Sequence, residues 1–256
     1  MYRRSLGAHI RSILEYQADF WVLVLAGVLF QGLNLLFLSA VFNHVPTLNG
    51  WTYAESILLM GMWGMIGGLV PLFFEGMWGL AWRINQGELD YPLVRPLPVP
   101  AQVFSSAVGL HGFGDLIGGG AMLGWALFHI DVEWTPLTVL IGLVLFASAI
   151  AIHVSIVTIT NAASFWIPGP HPFFAVTVHT FEDMIKYPLT IYGIGMRAVY
   201  TVVVPFAFVT FFPVSWLLGR DAGWVGLLTP LVAVYCVWMA RLVFRAGLRR
   251  YESSGH

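Results

Sequence analysis

Residues 20–42 read FWVLVLAGVLFQGLNLLFLSAVF, twenty-three positions without one charged side chain. A helix of about 20 apolar residues crosses the roughly 30 Å hydrocarbon core of a bilayer. Further runs of that length occupy residues 54–74, about 102–128, about 136–165 and 224–244. Charged residues make up 10% of the chain and hydrophobic ones 58%, with a mean hydropathy of +0.79. Ordinary soluble domains carry about 25% charged residues, so most of this surface does not face water. The pattern predicts an all-α polytopic membrane protein forming a single domain over residues 1–256.

Residues 166–220 admit two arrangements. The stretch 195–218 is the most hydrophobic there but carries Pro205 and Pro213 near its middle, whereas 171–192 is helix-length yet polar, with His179, Glu182, Asp183 and Lys186. In the first arrangement 171–194 is a cytoplasmic loop and 195–218 is the fifth span. In the second, 171–192 is the fifth span, and 195–218 enters the outer leaflet and returns. Non-helical backbone is tolerated at that depth only when protein buries it. Either way there are six spans with both ends on one side.

Arginine placement sets the orientation. Arg3, Arg4 and Arg11 precede the first span, Arg83 and Arg95 lie in the 75–100 segment, and Arg241, Arg245, Arg249 and Arg250 close the chain. Loops 43–53 and 129–135 hold no lysine or arginine, and 219–223 holds only Arg220. The positive-inside bias places both termini and the 75–100 segment in the cytoplasm. Lys186 and Arg197 are external only in the second arrangement, so charge bias favours the first. Within 3–19, Leu6, Ile10, Ile13 and Leu14 form one stripe with Arg3, Arg4, Arg11 and Glu15 off it, the pattern of an interfacial amphipathic helix. The following run lacks an A-x-A exit and reads as a retained span.

Several chemistries are excluded. The single lysine, Lys186, sits in TFEDMIKYP, so no phosphate-cradling G-x-x-x-x-G-K-[ST] loop exists. There is no H-E-x-x-H, no metal-spaced Cys/His set and no G-x-S-x-G elbow. Neither catalysis by this chain nor a metal site is expected. The lone Cys236 forms no intrachain disulfide and reads as a small packing residue.

Ionisable groups at membrane depth are costly and are functional candidates by default. His111 and Asp115 are four apart, near the middle of the third run, and could pair. In HTFEDMIKY, His179, Asp183 and Lys186 share a helical face, with Glu182 and Lys186 as an i, i+4 pair. His153, alone among Ile, Val and Ala, reads as a packing histidine. Gly64/Gly68, Gly114/Gly118 and Gly120/Gly124 have the spacing of close helix contacts, within the chain or across a dimer.

The segment INQGELDYPLVRPLPVP (84–100) stands out as polar and proline-rich in an apolar chain. Its part GELDYPLVRPLPVP (87–100) resembles the G-E-L-D-x-x-L-x-R-P signature of ABC-2 family permeases, and more narrowly a branch once catalogued as a domain of unknown function in bacterial three-component ABC systems. Residues 187–219 are similar to that branch's Y-P-L-x-I-Y … P-F-A-F-V-x-x-x-P stretch, and GLRRYESSGH (247–256) to its G-L-x-R-Y-x-S-x-G tail.

The resemblance implies the second arrangement: spans at about 20–42, 54–74, 102–128, 136–165, 171–191 and 224–244, with a re-entrant external hairpin at 195–218 bent at Pro188, Pro205 and Pro213. It implies a half-transporter in a bacterial inner membrane, surrounded by lipid, paired with a second permease, alike or related, and driven by two copies of an ATP-binding subunit. ATP and Mg²⁺ belong to that partner; this chain is expected to hold no cofactor and to bind no nucleic acid. Arg83, Asn85, Gln86, Gly87, Glu88, Asp90 and Arg95 are the expected coupling residues. His111, Asp115, His179, Glu182, Asp183 and Lys186 are candidates for a conduit. Pro92 departs from the signature, where a bulky apolar residue is usual, and is expected to end the short helix early. Two other functions fit the residues: a proton-coupled carrier or channel relaying through Asp115, Glu182 and Asp183, and a membrane scaffold recruiting an enzyme through the same segment.

Overall fold

The computed structural model describes residues 17–167, 169, 173–221 and 223–251, and all regular elements among them are helical. Residues 3–16 of the expected interfacial helix, and the 252–256 end of the tail motif, lie outside the described residues. The long helices are α1 (Gln17–Phe42), α2 (Tyr53–Phe74), α6 (Gly112–His129), α7 (Pro136–Ala162) and α11 (Thr229–Arg250). Short helices α3 (Leu80–Asn85), α4 (Asp90–Val94) and α5 (Val99–Phe104) fill the 75–100 region, and α8 (Phe173–Glu182) follows α7. The bent pair α9 (Ile194–Val203) and α10 (Phe206–Leu217) turns through 76°.

Four helices among the described residues are long and apolar enough to cross a membrane, and the bent pair makes a fifth if it counts as one span. The first of the two expected spans that differ, 102–128, is broken. Helix α5 ends at Phe104, and α6 begins only at Gly112, after a turn in which the Gly109 N–H donates to the Pro71 carbonyl at 3.0 Å. Asp115 therefore lies in the first turn of α6 and not at mid-span.

In the second, 171–191, the α-helical part among the described residues is Phe173–Glu182. Ten residues rise about 15 Å, half the hydrocarbon thickness. Beyond Glu182 the chain unwinds, and after Pro188 it makes one 3₁₀ turn at Leu189–Ile191. Side chains from 192–210 donate to the carbonyls there, two of which also accept backbone N–H groups. Tyr200 Oη donates to Phe181 O at 3.1 Å, Tyr192 Oη to Met184 O at 2.9 Å, and Thr210 Oγ1 to Ile185 O at 2.6 Å. Irregular backbone survives among apolar helices when protein satisfies it in this way. The break between α9 and α10 falls at Val204–Pro205, while Pro213 sits in the first turn of the α-helical part of α10, which starts at Phe211 after a 3₁₀ turn at Phe206–Phe208, a position where the missing N–H would have no intrahelical partner.

Helix α2 is the central element: 67% of its most apolar window is buried, against 22% for α1. Glycines bring α2 and α6 together. A Cβ on Gly64 would stand 2.7 Å from Gly119 Cα, and one on Gly68 2.7 Å from Gly112 O. Gly114 meets α1 at Gly27, and Gly118 meets Gln31, but Gly124 has nothing within 4 Å. The small-residue spacing thus serves contacts within the chain, except at Gly124, while Gly120 meets only the Met65 thioether at 3.5 Å. Around this centre, Trp51, Leu59, Ile66, Met77, Tyr200 and Phe206 form the main core.

At the end of α2 away from the 75–100 segment, a turn with left-handed Asn49 and Gly50 (φ 50° and 85°) leads into Thr52, whose hydroxyl and backbone N–H form a capping box with Glu55. Arg220 locks it, donating to Glu55 Oε2 at 2.7 Å while its guanidinium lies 4.1 Å from the Trp51 ring centroid.

Candidate functional site

Two features carry the chemistry: the polar segment at one end and a cavity among the helices beside it.

The segment is built by local rules. Helix α3 ends in a Schellman motif, with Glu88 N–H donating to Arg83 O at 2.9 Å and Gly87 N–H to Ile84 O at 3.3 Å. This requires a left-handed residue at Gly87, where φ is +73°. The next residue but one, Leu89, is fully buried against Leu80, Ile84, Ala162, Phe165 and Phe244, the ends of α7 and α11. Asp90 opens α4, where a carboxylate suits the helix N-terminus. Burial, then the Asp90 carboxylate, pushes the Tyr251 phenol up to about 12, so the C-terminal stretch meets this helix as a neutral hydroxyl. Pro92 does not shorten α4: it is the third residue of the first turn, and the helix runs to Val94 before Arg95–Pro96 forces extended backbone.

Two side-chain amides hold the segment in place. Gln102 Nε2 donates to Pro92 O at 2.9 Å and Leu97 O at 3.0 Å. Asn85 both donates to Gly169 O (2.7 Å) and accepts from Gly169 N–H (3.3 Å). Of the seven expected coupling residues, Asn85, Gly87 and Asp90 therefore shape the segment. Gln86, Glu88 and Arg95 are exposed, and Arg83 is half-buried. Sequence reasoning weighed charge and missed the apolar members of the same face: Tyr91 is 75% exposed and Val94 82%, with Leu93 and Leu97 beside them. Apolar residues inside an otherwise polar stretch were the available signal.

The second feature is a cavity of about 600 Å³ walled by α1, α2, α6, α7 and α8. His111, Asp115, His179, Glu182 and Asp183 all line it. Glu182, buried, lies between two imidazoles: His153 Nε2 is 3.3 Å from Oε1 and His179 Nδ1 3.1 Å from Oε2. Trp78 packs edge-on to His179 at 5.0 Å, and Trp63 to His153 at 5.2 Å. Asp115 accepts from Gln31 Nε2 at 2.9 Å, so its side-chain hydrogen-bond partner is Gln31, not His111, which stands at the N-terminus of α6 without a side-chain cap bond. Lys186 stands behind the cavity wall, donating to Asn34 Oδ1 at 2.9 Å and Asp183 Oδ1 at 3.2 Å. The expected Glu182–Lys186 pair does not form, because the helix ends between them and the i, i+4 geometry is lost.

Three wall residues were missed or misread. His153 faces the Glu182 carboxylate at 3.3 Å as well as packing on Trp63, and Gln31 and Glu75 also face the space. A histidine in an otherwise aliphatic helix was the signal for the first; Glu75, at the end of an apolar run, was the signal for the last. The arrangement can bind a polar or charged group within apolar surroundings, and the His153–Glu182–His179 row can hold and pass a proton.

A family model described as ABC-2 family transporter protein matches residues 28–255. No curated protein and no solved structure matches the chain significantly. The match takes in the shaped 87–100 segment and the helices around the cavity apart from the first part of α1, and this family works in association with ABC ATP-binding subunits. The chain belongs to the ABC-2 transporter family, as a membrane permease subunit of an ABC transporter.

Proposed function

We propose that this chain is one half of an ATP-driven exporter for a hydrophobic or amphipathic compound, coupled to its ATP-binding subunit through the 80–97 segment. In this reading two permeases, alike or related, pair around the transport path, two ATPase subunits bind them from the cytoplasm of a bacterial cell, and both termini lie on that side. ATP and Mg²⁺ act in the partner. The observation that carries the reading is the combination at α4: Leu89 is wholly buried while Tyr91 and Val94 stand almost fully exposed. A rigidly seated element that presents apolar area with Glu88 and Arg95 suits a protein partner; a water-facing loop has no use for that area. The polar cavity next to it supports a cargo with a polar head.

The test is co-purification of the ATP-binding subunit with a Tyr91→Ala/Val94→Asp chain. The expected result is loss of the subunit and of ATPase stimulation, with the permease still folded. Retention of both refutes the coupling surface. The His153–Glu182–His179 row favours a second reading, proton-coupled transport. An ion-gradient-driven flux that persists without any ATPase would establish it.

A further inference from the structure

An apolar groove of about 570 Å³, sharing no wall residue with the polar cavity, is lined by α7 and α11, within the range of roughly 300–1,000 Å³ typical of small-ligand sites. Its walls include Ile150, Ala151 and Val154 of α7, Val237 and Ala240 of α11, and Phe104 of α5. Among the described residues the only hydroxyls there, Ser155 and Thr158, donate to Ala151 O (2.6 Å) and Val154 O (2.7 Å) of their own helix. Nothing polar is left in the body of the groove, so it suits hydrocarbon. Its mouth carries Arg241 and Arg245, one turn apart on one face of α11, both exposed and in no hydrogen bond or ion pair among the described residues. Two unpaired guanidiniums beside an apolar slot, within a membrane helix, complement a phosphate carrying an acyl chain.

We propose that this groove binds one anionic phospholipid, with an acyl chain along Ala151 and Val154 and the phosphate held between Arg241 and Arg245. Arginine is suited to the role because its stem lies against apolar wall while its head reaches the interface. The site is separate from the polar cavity and does not depend on the transport direction or cargo.

The full-length chain, purified in detergent with equal amounts of phosphatidylglycerol and phosphatidylcholine, is examined by native mass spectrometry for retained lipid. The wild type is expected to retain phosphatidylglycerol preferentially, by about five-fold per arginine, which corresponds to roughly 1 kcal/mol for each. Arg241→Gln/Arg245→Gln brings the two lipids to parity, whereas Arg249→Gln/Arg250→Gln keeps the preference. Ala151→Phe, which fills the slot, lowers retention of both; if that chain does not fold, Ala147→Leu makes the same test. The proposal is overturned if the wild type shows no preference, or if the 241/245 variant keeps it. Equal loss in the 249/250 variant overturns it too, since diffuse surface charge would then suffice. So does disulfide cross-linking of two Ala147→Cys chains in a Cys236→Ala background, which would place a second permease in the groove.

Discussion

Leu89→Ala separates anchoring from recognition. Leu89 is inaccessible to solvent and contributes to a cluster with Leu80, Ile84, Val103, Phe165 and Phe244, while Tyr91 and Val94 of α4 and the flanking Glu88 and Arg95 are exposed. Truncating a fully buried leucine costs about 2–5 kcal/mol, depending on how far the site collapses. The rings of Phe165 and Phe244, with centroids 6.1 Å apart and planes perpendicular, resist full collapse, so a value of about 3–4 kcal/mol applies. Other links survive: the Gln102 bonds to Pro92 and Leu97, and the Asn85–Gly169 pair, at about 1 kcal/mol each.

A loss of about 3–4 kcal/mol against that remainder leaves α4 attached to the chain but only partly seated. Hydrogen exchange at amides 88–95 should then accelerate by about two orders of magnitude, because each 1.4 kcal/mol is ten-fold. The ATP-binding subunit should still co-purify through Tyr91 and Val94, and stimulation of its ATPase by transported compounds should fall at least ten-fold. Leu89→Met conserves volume and should cost under about 1.5 kcal/mol, leaving coupling near wild type. Unchanged exchange at 88–95 in Leu89→Ala would refute the anchoring argument. Loss of the subunit equal to that of Tyr91→Ala/Val94→Asp would refute the division between anchor and contact.

Other perturbations probe the remaining contacts. Gly119→Val should destabilise by about 1–3 kcal/mol or more in detergent-solubilised thermal unfolding, because its Cβ would come 2.6 Å from Gly64 C, whereas Gly124→Ala should change little. Glu182→Leu should cost about 1–3 kcal/mol by leaving the buried His153 without the carboxylate it faces, while Glu182→Gln should keep the fold and lose only proton-dependent behaviour, read as the pH profile of ATPase stimulation. Thr210→Val should cost about 1–3 kcal/mol by leaving Ile185 O without its donor, measured as a lower unfolding midpoint. Arg220→Ala should loosen residues 48–55, seen as faster exchange there, by removing its bond to Glu55 and its seat on Trp51.

What the sequence disclosed and what it hid divide along sequence separation. Hydropathy runs located α1, α2, α7 and α11, because a bilayer demands local apolar length. The polar 84–100 stretch and the ionisable residues of 179–186 were visible for the same reason: polarity against an apolar background shows in a single window. The pairings were not visible. Glu182 takes His153 from a helix twenty-nine positions back, and Asp115 takes Gln31 across eighty-four, so no local spacing predicts either. Helical spacing also misassigned Lys186, since it assumed a helix continuing past Glu182. The unwinding there depends on hydroxyls of Tyr192, Tyr200 and Thr210, which reach back from later in the chain.

The two halves of the candidate site share one mechanical path. From Tyr53 to Asn85 the backbone is nearly continuous helix. Along it lie the Thr52–Glu55 cap held by Arg220, then Trp63, Gly67 and Pro71 on the cavity wall, then Glu75 and Trp78 at the cavity's edge, and finally Asn85 beside the Schellman turn. The path narrows to a 3₁₀ turn at Glu75–Met77. There the chain has no slack: a Cβ on Gly76 would fall 1.8 Å from Val103 O, in the helix to which Gln102 ties α4. A displacement of α4 by a partner cannot be absorbed at this crossing without moving either α5 or the 3₁₀ turn, since interpenetration is barred by backbone atoms. Moving the turn shifts Glu75 and Trp78, and Trp78 packs on His179. On the proposed function, the glycine at 76 is therefore what makes the 80–97 segment and the His153–Glu182–His179 row respond together.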